Sequence, residues 1–169
     1  MIDRGALVLA PAPQGPYRGV HRPPLDGLAF TGRKGKDLAR RYVGLVVEGE
    51  GVLEDLDDAI ALRDDARKMG FTDLDVVVFV VPQVPWVPKG LPVLEAPPAD
   101  DLEPLGWDVF EPIEPWHSPL AGDAPSVPVN AFGLLEDRGA AEALAARTND
   151  DSPGDEPYVT ARVWRVKGA

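Results

Sequence analysis

Proline restricts this chain more than any other residue. It supplies 19 of the 169 positions, about twice the usual share. Five prolines lie within residues 11–24 and twelve within 82–128, while 25–81 and 129–152 contain none. A proline donates no amide hydrogen and its ring clashes with the preceding helical turn. Helices and central strands are therefore expected in the two proline-free windows, with extended or turning chain elsewhere.

In the first window Tyr42–Glu48 is rich in β-branched residues and reads as a strand. After the turn Gly49-Glu50-Gly51, the residues Leu53, Leu56, Ile60, Ala66 and Met69 recur near helical spacing, and Gly70 stands where a C-terminal cap belongs. Acids fill the start of that segment (Glu54, Asp55, Asp57, Asp58) and Arg67 and Lys68 its end, as a helix dipole favours. Asp75–Val81 is a nearly unbroken apolar run, the pattern of a buried strand. The second window repeats the scheme: Val127–Leu135 extended, Glu136–Arg147 helical, and Tyr158–Val166 alternating cleanly. In that last strand Val159, Ala161, Val163 and Arg165 share one face, and Tyr158, Thr160, Arg162, Trp164 and Val166 the other.

Two strand–helix–strand units in series predict an α+β domain, a ferredoxin-like sandwich with its helices on one face of an antiparallel sheet. The alternative is an irregular mixed α/β sheet. Extra strands at Ala6–Ala10 and Trp107–Ile113 would extend the sheet or cap an edge. The whole of 1–169 reads as one domain, with a basic, proline-rich segment (1–41), a first unit (42–81), a proline- and tryptophan-rich insertion (82–126) and a second unit (127–169).

The composition excludes several kinds of chemistry. Without cysteine there is no disulfide framework, thiolate metal site or cysteine nucleophile. The longest strongly apolar run, Val76–Val81, is far short of the ~20 residues a membrane-spanning helix needs. Met1–Ala10 lacks the basic start and long apolar stretch of a secretory signal, so the expected compartment is the cytoplasm, and no membrane partner is expected. Twelve arginines against five lysines, with abundant Ala, Gly and Pro, fit a GC-rich bacterial genome.

Charge is as uneven as proline. Residues 1–42 carry +5, 43–156 carry −19 and 157–169 carry +3, within a total of −11. So acidic a middle repels phosphate backbones, which argues against direct nucleic-acid binding and for a basic protein partner. The cluster Arg33, Lys34, Lys36, Arg40 and Arg41 has no interleaved aromatic residue and reads as a loop that neutralises the chain's own acids.

No catalytic or cofactor motif stands out. The turn at Glu48–Gly51 precedes a helix, as phosphate loops do, but surrounds the position with carboxylates and matches no glycine-rich nucleotide motif. No calcium loop is present, and neither a metal nor any other cofactor is expected. No serine lies in a nucleophile elbow. Glu111, Glu114 and His117 are spaced three apart and would share one face of a polyproline II helix, but successive members would stand ~9 Å apart, too far for one metal ion or a tight acid–base pair. Beside Trp116 they suit an exposed recognition strip better. Pro82, Pro85 and Pro88 suit a rigid strap that places Trp86 on the chain's own core or on a partner, and 99–111 mixes Asp100, Asp101, Glu103 and Asp108 with Leu102, Leu105, Trp107 and Phe110, the pattern of a protein-binding surface or of a linker entering a strand.

These features predict a non-catalytic acidic protein that recognises and inhibits a basic partner, in the manner of immunity proteins or antitoxins. The expected contact residues are Trp86, Asp100, Asp101, Trp107, Glu111, Glu114, Trp116 and His117. Two alternatives are an enzyme or small-ligand-binding protein with a site around Glu111, Glu114 and His117, and a structural subunit of a larger assembly.

Overall fold

The computed structural model describes residues 4–9, 33–42, 53, 55–72, 74–80, 101–110, 118–120, 126–151 and 157–167. In chain order they form β1 (Arg4–Leu9), α1 (Arg33–Tyr42), α2 (Leu56–Lys68), β2 (Asp75–Val80), β3 (Leu102–Phe110), α3 (Arg138–Asp151) and β4 (Val159–Val166).

Local chemistry sets the helix ends. Ahead of α2 the Asp55 carboxylate accepts the Asp57 amide at 2.7 Å, satisfying a donor that the first turn leaves open. At the other end the Phe71 amide donates to the Ala66 carbonyl at 3.1 Å and the Gly70 amide to Arg67 at 2.9 Å, with Gly70 at φ 91°. This is the left-handed glycine stop that the sequence predicts. Before α3 the Asp137 carboxylate accepts from the Ala140 amide at 2.9 Å. In its last turns Asn149 clamps the start of β4, its Oδ1 accepting from the Tyr158 amide at 2.7 Å and its Nδ2 donating to the Tyr158 carbonyl at 3.1 Å.

The four strands form one antiparallel sheet in the order β1-β2-β4-β3. α2 packs over β1 and β2, α3 over β3 and β4, and α1 against α2. The register opposes Val78 to Trp164 and Val109 to Thr160, so the residues that meet the two helices lie on one face. Two clusters fill that layer. Leu38, Leu53, Leu62, Val76, Val78, Trp164 and Val166 pack around α2, and Val109, Leu120, Leu135, Ala141 and Leu144 around α3. Leu38, Leu53 and Leu62 are fully buried, and each such side chain stabilises the fold by about 2 kcal/mol.

The class is α+β, as the sequence predicts, but the strand order is not ferredoxin-like. A split βαβ unit holds another strand between its own two. Here the strands joined through helices, β1 with β2 and β3 with β4, lie side by side. Three local readings change with this. Tyr42 ends helix α1 instead of opening a strand, and the basic segment expected as a loop is that helix. Residues 43–48 lie outside the described residues. Val127–Leu135 is a looped segment whose β-pairing among the described residues is one isolated bridge, Leu135 to Trp107, because Asn130 and Gly133 (φ 77°) turn the chain. The strand ahead of α3 is instead Leu102–Phe110, inside the segment set apart as an insertion and five residues earlier than the sequence pattern suggests. It tolerates Pro104 because the register slips between Pro104 and Gly106, a bulge at the sheet edge. The expected strand at the N-terminus is present as β1, an edge strand.

Candidate functional site

β4 is central in the sheet, and its alternation places Arg162 and Trp164 on the helix-bearing face. Across from Arg162, in direct register on β3, stands Trp107. The guanidinium carbon of Arg162 lies 5.1 Å from the Trp107 ring centre and 5.3 Å from that of Trp164. These are cation–π distances. Arg162 and Trp107 are half-buried, and Trp164 is buried. The Arg162 Nε and the Trp164 Nε1 are both buried donors without an acceptor. Burial pulls the Arg162 guanidinium below its ordinary value, since loss of water disfavours its charge.

On the outer side of α3 lies an open groove of about 440 Å³. Its floor is apolar (Val127, Pro128, Leu135, Ala140, Ala143, Leu144), with Glu136 and Asp137 at one end and Arg147 at the other. Glu136, Asp137, Ala143 and Arg147 are exposed. The loop ahead of α3 supplies one wall of the groove, and Leu135 in it is fixed to β3 by paired backbone bonds with Trp107 of 2.8 and 2.9 Å. Asn130 holds the loop: its Nδ2 donates to the Leu105 carbonyl at 2.7 Å, and its Oδ1 accepts the amides of Phe132 and Leu134.

Further acidic side chains lie at the end of α3 and along α2. Asp150 and Asp151 close the last turn of α3, exposed and with no basic residue in that turn. A carboxylate there opposes the helix dipole and costs about 0.3–1 kcal/mol. On α2 the exposed Asp57 begins a run that ends in the Asp65 cluster, where the carboxylate accepts from Lys68 Nζ at 3.0 Å and Tyr42 Oη at 3.1 Å, with Arg41 3.8 Å away. Those bonds, the one from Lys68 first, hold Asp65 below the usual carboxylate range, while desolvation pushes Tyr42 up. The Arg41 contact accords with the expectation that the basic segment neutralises acids of its own chain.

Of the expected contact residues, two are described. Trp107 is the half-buried ring beside Arg162, and Asp101 is exposed in the turn before β3, its carbonyl accepting from the Lys167 amide at 2.8 Å. Trp86, Asp100, Glu111, Glu114, Trp116 and His117 lie outside the described residues. Two neighbours expected on an acidic surface turn out otherwise engaged. Asp108 is buried, its Oδ1 accepting from Ser118 Oγ at 2.7 Å and the Val109 amide at 2.8 Å. Glu103 meets Arg165 at 2.8 Å. Ser118 is itself buried and also accepts from the Leu120 amide at 3.1 Å, so its hydroxyl ties a loop to β3 instead of standing ready as a nucleophile.

Sequence reasoning did not single out Arg162, Trp164 or the α3 groove. The alternation in Tyr158–Val166 already put Arg162 and Trp164 on one face; the missing signal was the β3–β4 register that brings Trp107 opposite.

Among the described residues no helix is long and apolar enough to cross a membrane, and no three His, Cys, Asp or Glu side chains are grouped to hold a metal ion. No protein-family model, curated protein or solved structure matches the chain.

Proposed function

We propose that the protein is a cytoplasmic, non-catalytic binding protein that takes a basic protein partner on its acidic surface and inhibits it. The observation that carries this reading is the α3 face. An apolar groove is edged by the exposed carboxylates of Glu136 and Asp137, and the same helix ends in Asp150 and Asp151, which act against the helix's own stability. An apolar floor supplies contact energy, while carboxylates around it steer a cationic partner and select its orientation. Trp86, Trp116 and the acids Asp100, Asp101, Glu111 and Glu114 would extend the contact as further anchors.

The test is capture by the tagged full-length protein from its native host. The bound partner should be basic and should be released at about 0.5 M salt, where exposed charges are screened within a few ångströms. The variant Asp150→Lys/Asp151→Lys should weaken capture at least tenfold while raising stability by about 0.3–1 kcal/mol. Ala143→Arg should block the groove without touching the core. A partner that is not basic, or capture indifferent to both salt and these substitutions, would overturn the reading.

A further inference from the structure

We propose that Arg162, between the indoles of Trp107 and Trp164, is a binding site for a monocarboxylate with a flat apolar body. Most cations of the described chain already face an acid: Arg40 meets Asp37, Arg41 and Lys68 meet Asp65, Arg63 meets Asp64, Arg138 meets Glu142 and Arg165 meets Glu103. Among the described residues Arg162 has no such acid. It is set instead against two aromatic rings, at 5.1 and 5.3 Å, with its Nε and the neighbouring Trp164 Nε1 left without acceptors. Trp164 is 7% exposed, so that donor gets no relief from bulk solvent.

A guanidinium is a planar fork that matches a carboxylate with two parallel hydrogen bonds. The charge selects a monoanion: one cation is offered, and a chain of net −11 repels a doubly charged phosphate more strongly than a singly charged carboxylate. The half-buried Trp107 indole selects the rest of the ligand, because its accessible part is an apolar surface against which a flat ring can pack beside the guanidinium. The position also suits a ligand, since Trp164 belongs to the cluster around α2 and Trp107 packs against the cluster around α3, so that Arg162 lies at their seam and keeps part of its side chain exposed.

This site is independent of the acidic α3 face, and its test uses small molecules alone. The full chain labelled with ¹⁵N is titrated with benzoate, with acetate and with inorganic phosphate, following the indole Nε1–H signals of Trp107 and Trp164 and the Arg162 Nε–H signal. The tryptophan signals are assigned from Trp107→Phe and Trp164→Phe. Benzoate should shift all three signals saturably, acetate should bind about tenfold more weakly for lack of the apolar body, and phosphate should bind no better than acetate. Arg162→Lys keeps the charge but loses the fork, and should weaken benzoate at least tenfold. Arg162→Gln should abolish the saturable shift. Absence of a saturable shift in the unsubstituted chain, equal affinity for phosphate, or undiminished benzoate binding by Arg162→Lys would each overturn the proposal. The unsubstituted chain carries the first two outcomes even where a variant fails to fold.

Discussion

Arg162 and Arg165 stand three residues apart on β4, face opposite sides of the sheet and meet opposite surroundings. Arg165 has Val77 beside it on β2 and Glu103 on β3; its guanidinium reaches Glu103 at 2.8 Å and Asp75 at 4.0 Å, with the Phe132 ring 5.7 Å away. Arg162 has Val80 and Trp107 for cross-strand neighbours and gains two indoles but no carboxylate. Among the described residues one cation is neutralised by ion pairing, and the other is set against π faces. Identical side chains on one strand thus acquire different roles from the register of the strands beside them: Arg165 ties three strands together, while Arg162 keeps binding capacity in reserve.

The loop 126–135 touches both surroundings, through Phe132 over Arg165 and through Leu135 bonded to Trp107. Gly106 is where it presses closest to the sheet. At φ 152°, a Cβ there would stand 2.8 Å from both the Leu134 Cβ and the Leu135 carbonyl oxygen. One of those neighbours is backbone and cannot swing aside. Gly106→Ala should therefore have the largest effect, a loss of about 3 kcal/mol or more in chemical denaturation, and should disturb both arginines at once. A loss below about 1 kcal/mol would mean that the loop is not held against β3 as tightly as these distances imply.

The two arginines themselves should respond in opposite directions. Arg165→Met removes the cation that meets Glu103 and approaches the partly buried Asp75, and should cost about 1–2 kcal/mol. Arg162→Met removes an unpaired, desolvated charge while keeping an unbranched apolar stem between the indoles. It should be neutral or stabilising by up to about 1 kcal/mol. Urea unfolding of both variants at neutral pH checks the order, and the reverse order would remove the contrast between them.

How far the sequence disclosed this arrangement depends on whether the signal was local. The end of α2 was legible because Gly70 and the acid-to-base gradient are local chemistry, and the faces of β4 were legible because alternation is. The strand order was not, since nothing local says that β1 will lie beside β2 or that Leu102–Phe110 will flank β4. Val127–Leu135 was misread because its apolar residues outweighed the turn at Asn130–Gly133, whose hydrogen bonds run to Leu105, 25 residues away. Trp107 stands out in the sequence by its size as an expected partner anchor, but its neighbour Arg162 becomes visible only once two strands are in register.

The finest distinction between the two sides of the sheet is their response to acid. Burial pushes the Asp75 carboxyl above its ordinary value of 3.8, Glu103 adds to the shift and Arg165 opposes it. A carboxyl raised in the folded state holds its proton more tightly there than in the unfolded chain. Its ionised form is thus a standing cost at neutral pH, and the fold regains that stability as pH falls through the raised folded value toward 3.8. Asp65, held below 3.8 by Lys68 and Tyr42, has the opposite sign: its contribution is present above 3.8 and is lost as pH falls through the lowered folded value. Asp75→Asn should accordingly raise the thermal midpoint slightly at neutral pH, with an advantage over the parent chain that shrinks on acidification. In the Arg165→Met background the opposing cation is gone, so the neutral-pH advantage of Asp75→Asn should grow. Midpoints measured from pH 7 downward on the four chains test this, and an advantage that widened as the pH fell would show that Asp75 is held by its arginine more than it is penalised by burial.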